Sequence, residues 1–391
     1  MNKARYTAVI AAAAILLAFA AGCNTQSENT ASQTSETASV TSSADTESSA
    51  ADESSEEESE EEKPIPVVSD PTPESSGEYI EGLFLYNGTA YELFYGDEDM
   101  AKNYAETISY VKKGLGDKIK VYNLLVPTHV GVDLPDKFSE ICNPQDTYIK
   151  AIFDSYDADI TGVSAYDEIL RHRDEYIYFN SDHHWTGRGA YYAYKALAKA
   201  AGYTPIKLED MKSEKINGYY GSLSWTISED LLTEDYVEYF TTDSKIDCMR
   251  YDENASNPYE FALIHDYAEG SNAYGVFLGG DQPLMVAKNP DGNGKKIAVV
   301  KESYGNAFCP FIAYTYSETH MIDFRYVEFN LKDYLEKNGI DEVIFINNTM
   351  ASATSMRCDE MRNLVDSSSG AGSDDNDESV DYDDANIEDY L

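Results

Sequence analysis

The chain has 391 residues, a formal net charge of −42 at pH 7 and 42% hydrophobic residues. So large an excess of acid argues against nucleic acid as a partner and against charge-driven binding to anionic lipid surfaces. The apolar content and length are sufficient for one α/β domain with a sizeable core.

The N-terminus has the charged, apolar and small-residue regions of a secretory signal. Its apolar run, from Ala8 to Ala20, is shorter than the roughly 20 residues that span a bilayer as a helix. The run is followed by "AGC", an ending that resembles the lipobox of bacterial lipoproteins, whose cysteine is lipidated and becomes the mature N-terminus. The sequence therefore predicts a signal peptide over 1–22, a lipid anchor at Cys23 and a location on the extracellular face of the bacterial cell membrane. An uncleaved anchor helix is the alternative.

Two acidic, polar segments flank the body of the chain. Residues 23–75 are rich in Ser, Thr and Glu, and residues 366–391 form a second acidic tail. Neither has enough apolar surface to offset the entropy that ordering would cost. We expect both segments to be disordered, the first as a tether, and the folded domain to span residues 76–365.

The first half of the body predicts alternating helices and strands. A helix over 100–116, a strand at "IKVYNLLVP" and a short strand over 160–163 are followed by the helical "AYDEILRHRDE". "YIYFN" predicts another strand, with "SDHHW" at its end. Thr186 then caps the next helix and Gly202 stops it. The stretch 203–295 is less regular and predicts loops, edge strands or an inserted subregion.

The second half of the body predicts a β-α-β-α-β order, with strands at "KIAVV", "HMID" and "EVIFINN". Such an order is typical of a parallel sheet with helices on both faces. Binding groups gather at the carboxyl ends of the strands in these sheets. That edge is therefore expected to carry the following side chains beside "SDHHW": Ser303, Asp323, Arg325, Asn347 and Asn348.

Two stretches, "SDHHW" and "KESYGNAF", have the residue types that acyl chemistry needs. Ser303 lies between a buried strand and a helix, so its hydroxyl would lie beside the helix N–H groups that an oxyanion requires. A simple helix cap is the alternative role for this serine. Asp182 and His184 are two residues apart and can face the same groove, as a general base and its orienting acid must. His183 would point elsewhere and serve packing.

A metal site built from Asp182, His183 and His184 is the competing interpretation. Three ligands on adjacent residues rarely converge on one tetrahedral ion, and the other histidines lack a supporting spacing such as HExxH. We therefore expect neither a metal nor another cofactor. The cysteines of the body have no CxxC spacing, and up to two disulfides of unassigned pairing are compatible with the sequence. These cysteines are Cys142, Cys248, Cys309 and Cys358.

"SDHHW", "KESYGNAFCPF" and "IDFRY", in this order, resemble the DHHW family of bacterial surface proteins over roughly residues 80–355. These proteins are related to the SGNH-hydrolase-like alginate O-acetyltransferase proteins, which carry Asp-x-His upstream of their serine. The resemblance implies an α/β, SGNH-hydrolase-like three-layer fold with a mainly parallel sheet and a permuted motif order. It also implies Ser303 as nucleophile, His184 as base and Asp182 as orienting acid.

Further site residues are implied by the same resemblance. Asn347 or Asn348 is the candidate for the asparagine donor to the oxyanion, with Arg325 and Tyr304 lining the substrate site. Two departures from ordinary SGNH enzymes accompany this assignment. "FINN" differs from their Gly-x-Asn-Asp block, and Asp-x-His replaces their Asp-x-x-His, although it matches the DHHW pattern.

The function implied is acyl transfer at the cell surface. Ser303 would attack an acetyl ester, with water as final acceptor in an acetylesterase and a sugar hydroxyl in an O-acetyltransferase. The 32 tyrosines suit stacking on sugar faces, although a composition bias would also produce them. The implied partners are cell-surface polysaccharide and a membrane-bound acyl-donor protein. A non-catalytic glycan-binding or scaffold lipoprotein on the same fold, and a metal-dependent hydrolase, are the alternatives.

Overall fold

The structure is a computed structural model, and it describes residues 63–68 and 70–366. The predicted signal peptide, Cys23, most of the predicted tether and nearly all of the predicted C-terminal tail lie outside the described residues. Among the helices of the described part, none is long and apolar enough to cross a bilayer.

Strands and α-helices alternate along most of the described chain. The strands are β1 (Glu78–Ile80), β2 (Leu83–Tyr86), β3 (Thr89–Glu92), β4 (Lys120–Val126), β5 (Thr161–Ser164), β6 (Lys212–Tyr219), β7 (Asp235–Thr241), β8 (Asp247–Tyr251), β9 (Tyr259–Glu260), β10 (Leu284–Lys288), β11 (Lys296–Lys301), β12 (Glu318–Asp323) and β13 (Glu342–Asn348). The helices are α1 (Glu98–Leu115), α2 (Gln145–Asp154), α3 (Tyr166–Leu170), α4 (Gly187–Ala201), α5 (Tyr304–Thr315), α6 (Leu331–Asn338), α7 (Thr349–Ser352) and α8 (Ser355–Asp366).

An eight-stranded sheet organises the domain, in the order β5-β4-β13-β11-β12-β10-β8-β9. The five strands from β5 to β12 in this order run parallel, and β10, β8 and β9 extend the sheet with antiparallel pairing. The predicted β-α-β-α-β unit is confirmed as β11-α5-β12-α6-β13. Most residues of β4, β11 and β13 are buried, as is typical of parallel strands covered on both faces.

Two buried apolar clusters lie on opposite faces of this sheet. One contains side chains of α4 and α5, and the other contains those of α1, α2, α6 and α8. Strand β4 supplies Tyr122 and Leu124 to the first cluster and Val121 and Leu125 to the second, because successive side chains of a strand point to opposite faces. The SGNH-like three-layer α/β fold with a mainly parallel sheet is therefore confirmed.

Helix α4, directly behind "SDHHW", begins and ends where the sequence predicts. The Thr186 hydroxyl accepts a hydrogen bond from the Gly189 N–H at 3.2 Å, and Gly202 has the left-handed conformation, with φ of 75°, that stops the helix. Helix α3 is shorter than predicted, because the chain continues as turns after Leu170, with N–H groups bonding back three residues.

The predicted strand at "YIYFN" is wrong. These residues form only an isolated antiparallel bridge, between Tyr178 and Trp185. Their apolar side chains, including Ile177 and Phe179, pack into the cluster around α4 and α5 instead. The chain turns back on itself after residue 180, so that the Thr186 N–H donates to the Ile177 carbonyl at 3.0 Å. The motif therefore lies on a closed turn and not at the end of a sheet strand.

The less regular stretch 203–295 contains the edge strands that its pattern predicts. β8, β9 and β10 lie at one edge of the main sheet, and β6 and β7 form a separate two-stranded sheet. A further three-stranded antiparallel sheet consists of β1, β2 and β3.

The described residues before Ser76, which we call the N-terminal segment (63–68 and 70–75), contact the domain. Lys137 Nζ donates to three backbone carbonyls of this segment at 2.9–3.1 Å, and Arg173 Nε donates to the Pro66 carbonyl at 2.6 Å. The predicted domain boundary at residue 76 stays a prediction, and these contacts are a reason to test it.

The four cysteines of the described residues are free, so that neither of the two disulfides that the sequence allows is present. Three of them, Cys248, Cys309 and Cys358, are buried. Burial raises the pKa of Cys248 and Cys309 to about 12, and both are therefore protonated packing residues at neutral pH.

Candidate active site

Two turns meet at the carboxyl edge of the sheet, and each carries part of the predicted site. One is the "SDHHW" turn before α4, and the other joins β11 to α5. Ser303 occupies the N-cap position of α5, but its hydroxyl makes no capping hydrogen bond. It lies instead 2.8 Å from His184 Nε2. The alternative of a simple helix cap therefore does not describe this serine.

Asp182, His184 and Ser303 form one continuous hydrogen-bonded chain. His184 Nδ1 lies 2.6 Å from Asp182 Oδ1, and His184 Nε2 lies 2.8 Å from the Ser303 hydroxyl. The Asp182 oxygen also accepts the backbone N–H of His184 at 2.8 Å, which fixes the two side chains on the same side of the turn. This arrangement of acid, imidazole and hydroxyl is that of a Ser-His-Asp triad.

A second turn, at residues 219–222, holds the Asp182 carboxylate. The Ser222 N–H donates to Asp182 Oδ2 at 2.7 Å. Gly221 packs so closely that a Cβ atom there would lie 2.2 Å from the same oxygen. Both carboxylate oxygens of Asp182 are therefore engaged, and the side chain has one orientation.

The electrostatics of this pair favour a charged carboxylate. Burial alone would raise the pKa of Asp182, but the adjacent His184 and the Ser222 N–H stabilise the anion and hold its pKa below the ordinary value. Asp182 is therefore ionised at neutral pH, as a residue that orients an imidazole and stabilises an imidazolium must be.

Tyr274 holds the plane of the His184 ring and reaches the nucleophile's backbone. The two rings stack with centroids 4.1 Å apart and planes 14° apart. The Tyr274 hydroxyl donates to the Ser303 carbonyl at 3.1 Å. Tyr274 lies in the irregular stretch 203–295, where no periodicity marked it, and it was not predicted.

His183 was predicted to point away from the base, but its ring lies against the His184 ring, with centroids 3.8 Å apart. Its Nδ1 lies 2.6 Å from the Ser222 hydroxyl, and its backbone carbonyl accepts a hydrogen bond from the Tyr304 hydroxyl. Burial lowers the pKa of His183, and the adjacent His184 lowers it further, so the neutral ring is favoured.

Trp185 and Tyr304 join the two turns through the core. Both are fully buried, and Trp185 Nε1 donates to the Tyr304 carbonyl at 3.0 Å. Tyr304 was predicted to line the substrate site. Its burial and its bond to the His183 carbonyl give it a different place, between the "SDHHW" turn and α5.

Glu302, which sequence reasoning did not single out, contacts every part of the serine turn. One carboxylate oxygen lies 3.0 Å from the Tyr304 N–H nitrogen and 3.3 Å from the Ser303 hydroxyl, and the other accepts the Asn348 N–H at 3.1 Å. Burial raises its pKa, against the opposing effect of these N–H donors. An ionisable residue directly before the candidate nucleophile was the available signal.

The two asparagines at the end of β13 face opposite sides of the sheet. Asn348 lies at the site, where its side-chain nitrogen is 3.3 Å from a Glu302 oxygen. Asn347 points the other way and donates to the Tyr104 hydroxyl at 2.9 Å. Because consecutive strand residues alternate in direction, only one of the pair can reach the serine. The structure brings Asn348 to the site and not Asn347.

Arg325, predicted to line the site, is instead part of a buried ion cluster. Its guanidinium donates to Asp323 at 2.6 and 2.8 Å and lies 2.8 Å from Asp281. Lys301, which is 1% exposed, joins the same two carboxylates. The cluster pairs each buried charge with an opposite one, which is the condition for burying them at all.

Asp182, His183 and His184 also place one ligand atom each within 4.8 Å of one another. A carboxylate and two imidazoles are ligands that zinc accepts. The Asp182–His184 and His183–Ser222 hydrogen bonds, both 2.6 Å long, would have to be replaced by metal bonds. The metal hypothesis therefore has a donor set, and a chelator tests it.

Comparison with known proteins gives a family match and several similar structures. The DHHW protein family model matches residues 24–322. The crystal structure of a DHHW family protein from Eubacterium siraeum has a TM-score of 0.69 and 26% identity, covering 74% of this chain and 97% of that chain. PatB1 from Bacillus cereus, determined with a sulfonyl adduct, has a TM-score of 0.59 and 17% identity, covering 70% and 97%.

A more distant likeness is the O-acetyltransferase domain of Pseudomonas putida AlgJ. It has a TM-score of 0.42 and 14% identity, and covers 72% of this chain and 99% of that domain. A comparison with curated proteins found no match.

Proposed function

This chain belongs to the DHHW family, and we propose that it is an SGNH-type serine enzyme for acyl esters, either an O-acetyltransferase or an acetylesterase. Its substrate is a polysaccharide of the bacterial cell surface. The observation that supports this most is the hydrogen-bonded chain from Ser303 through His184 to Asp182. Its geometry is that of a nucleophile, a general base and an orienting acid.

In the first half of the reaction, Ser303 Oγ attacks the carbonyl carbon of an acetyl ester. His184 Nε2 takes the serine proton and then gives it to the departing alcohol, which leaves an acetyl-serine. Asp182 stays ionised and stabilises the imidazolium that forms between these steps.

In the second half, an acceptor hydroxyl attacks the acetyl-serine. His184 takes its proton and returns it to Ser303 Oγ when the acetyl group leaves. Water as acceptor gives acetate and makes the protein an esterase. A sugar hydroxyl as acceptor gives an O-acetylated polysaccharide and makes it a transferase, for which a membrane-bound protein would supply the acetyl group.

The oxyanion of each tetrahedral intermediate forms beside the start of α5, where the partial positive charge of the helix favours it. Asn348 contributes a side-chain amide at this position, held at 3.3 Å by Glu302. Burial raises the pKa of the neighbouring Glu302 carboxyl, against the opposing effect of the N–H groups that bind it.

The test is hydrolysis of 4-nitrophenyl acetate by the wild type and by Ser303→Ala and His184→Ala. We expect each substitution to lower kcat by about 10³-fold or more, because either change removes the nucleophile–base pair. EDTA should have no effect on the wild type. Ser139→Ala, an exposed serine on another surface, is the matched control and should keep full activity.

Three other outcomes separate the alternatives. Activity that survives Ser303→Ala and is lost with EDTA would identify a metal-dependent hydrolase. A wild type that neither turns over esters nor reacts covalently with a fluorophosphonate or sulfonyl fluoride at Ser303 would leave a glycan-binding or scaffold protein. If turnover is present, supplying an acetyl ester with a polysaccharide acceptor distinguishes the transferase from the esterase, since O-acetylated polymer forms only in the first.

The membrane attachment in this proposal depends on Cys23 alone. A Cys23→Ala variant should move from the membrane fraction to the aqueous phase of a detergent partition. Retention of the variant in the membrane fraction would point to the uncleaved anchor helix instead.

A further inference from the structure

Trp225 is a tryptophan left in solvent beside the candidate active site. Its side chain is 83% exposed, whereas Trp185, the other tryptophan of the chain, is fully buried. Burial of an indole removes about 150–250 Å² of surface from water, so leaving one exposed forgoes a large stabilisation. An aromatic ring with a polar N–H is also the side chain most enriched at binding surfaces.

The turn that carries Trp225 is the turn that holds the triad. Trp225 ends a 3-10 helix that begins at Ser222, and Ser222 contacts both Asp182 and His183. A 3-10 helix rises about 2 Å per residue, so three residues place the Trp225 backbone about 6 Å from the Ser222 backbone along its axis. The indole is therefore attached at the rim of the site.

This turn is also fixed, so the exposed ring does not result from a loose loop. Leu223 and Ile227, on either side of the tryptophan, are buried in one apolar cluster. The Leu223 N–H donates to the Ser181 carbonyl at 3.0 Å, and the Ile227 N–H donates to the Leu223 carbonyl at 2.9 Å. A ring held on such a frame loses little conformational entropy when it binds a ligand.

Exposed carboxylates follow Trp225 closely along the chain. Glu229, Asp230 and Glu234 lie within nine residues of it, and all three are exposed. Carboxylates accept hydrogen bonds from hydroxyl groups, and they repel other anions. The rim therefore suits a ligand that has hydroxyl groups and no negative charge.

We propose that Trp225 is a stacking platform for an uncharged pyranose ring of the polysaccharide. The apolar C–H face of a pyranose fits an indole face, and its hydroxyl groups fit the carboxylate rim. This inference rests on the proposed function. Among polysaccharide substrates, it favours neutral glycans and excludes polymers of uronic acids. The 32 tyrosines are weaker support for stacking on sugars than Trp225 is, because several of them are core residues. The fully buried ones include Tyr104, Tyr122, Tyr194, Tyr219, Tyr304 and Tyr316.

The test uses the full chain and its two tryptophans. Cellohexaose and chitohexaose are the uncharged probes, and hexagalacturonate is the anionic one. Binding of an uncharged probe should shift the emission of Trp225 to shorter wavelength, while Trp185 stays unchanged inside the core. We expect Trp225→Ala to weaken binding of that probe on the order of tenfold or more, and Trp225→Phe to restore part of it. Tyr110→Ala, an exposed aromatic on α1, is the matched control and should bind as the wild type.

The same variants keep the two proposals apart. We expect Trp225→Ala to lower kcat/KM for an acetylated glycan more than kcat/KM for 4-nitrophenyl acetate, because only the glycan is large enough to reach the ring. A wild type that binds the uncharged probe through Trp225 but has no esterase activity would contradict the proposed function and support the glycan-binding role of Trp225. Esterase activity in the wild type, with equal glycan affinity in wild type and Trp225→Ala, would support the proposed function and contradict the role of Trp225.

Three further results would overturn the inference. The first is a wild type that binds neither uncharged probe. The second is binding of hexagalacturonate as tight as binding of the uncharged hexasaccharides. The third is a Trp225-dependent emission shift with phosphatidylcholine vesicles and none with the sugars, which would assign the ring to a lipid surface.

Discussion

Glu302 shares a buried turn with the candidate nucleophile, and this placement gives the site a titratable charge besides the triad. Four N–H or O–H groups surround its carboxylate, yet burial still raises its pKa above the ordinary value of 4.5. At the scale of single residues, the serine turn therefore contains a second carboxyl group, besides Asp182, that contacts the Ser303 hydroxyl.

The raised pKa makes a prediction about stability and pH. The folded protein holds the Glu302 proton more tightly than the unfolded chain does. The stability from this preference is fully present below pH 4.5 and is lost as the pH rises through the higher folded-state pKa. Glu302→Gln has no such loss. Between pH 4 and pH 8 we therefore expect the stability of this variant to increase relative to that of the wild type. The measurement is the free energy of unfolding, from urea titrations at each pH.

A glutamine has one acceptor oxygen where the glutamate has two, so the variant loses a hydrogen bond at every pH. Only the trend with pH tests the prediction. A difference between variant and wild type that stays constant from pH 4 to pH 8 would contradict it.

Asp182, His184 and Ser303 are hydrogen-bonded to one another, and two local rules were enough to expect them close together. Residues two apart on a turn can share a side, and a serine between a buried strand and a helix lies at the sheet edge. The same alternation rule decides between Asn347 and Asn348, but only the register of β13 tells which of them faces the serine. The partners of Asp182 come from residues 219–222, which are distant in sequence and carry no motif.

At the scale of elements, the turn at residues 219–222 holds Asp182 from a part of the chain that is distant from it in sequence. It supplies the Ser222 N–H and packs Gly221 against the carboxylate, which fixes the position of that side chain. Its φ of −90° at Gly221 suits any residue, so only the lack of space requires a glycine there.

Gly221→Ala therefore tests the turn directly. An added Cβ atom, 2.2 Å from Asp182 Oδ2, must push the carboxylate or the turn away and break the bond from the Ser222 N–H. We expect kcat for 4-nitrophenyl acetate to fall by roughly 10²-fold and stability by about 1–3 kcal/mol. Steady-state kinetics and urea unfolding measure the two effects. A variant with wild-type kcat would show that the turn does not position Asp182.

Helices were easier to predict than the strand that failed. Helix α4 has its cap, its stop and its apolar face within one continuous segment, so local sequence determines it. "YIYFN" has the composition of a strand, but a strand also needs a partner, and these residues pair with no strand of the main sheet. Its side chains satisfy the same apolar preference by packing under α4 and α5.

At the scale of the whole molecule, residues that composition assigned to the tether contact the folded domain. Val67, Val68 and Pro71 form one wall of a cavity of about 380 Å³, and Lys137 and Arg173 bind the backbone of the same segment. The composition was averaged over about fifty residues, most of them polar or acidic. The few apolar residues next to the acidic run therefore did not stand out.

Two truncated chains test where the domain begins. A chain that starts at Lys63 should unfold at the wild-type temperature. A chain that starts at Ser76 loses the contacts of the N-terminal segment and should be less stable by about 1–3 kcal/mol, with a midpoint several degrees lower. Differential scanning calorimetry measures both. Equal midpoints would place the boundary at residue 76, as the sequence predicts.

The 119 residues that separate His184 from Ser303 also make the site a measure of the whole fold. The base and the nucleophile meet only when the turn before α4, the strand β11 and the helix α5 have all assembled. Under the proposed function, the fraction of molecules that react with a covalent label at Ser303 would therefore equal the natively folded fraction. That would make the serine a tag-free folding reporter for variants, truncations and intact cells.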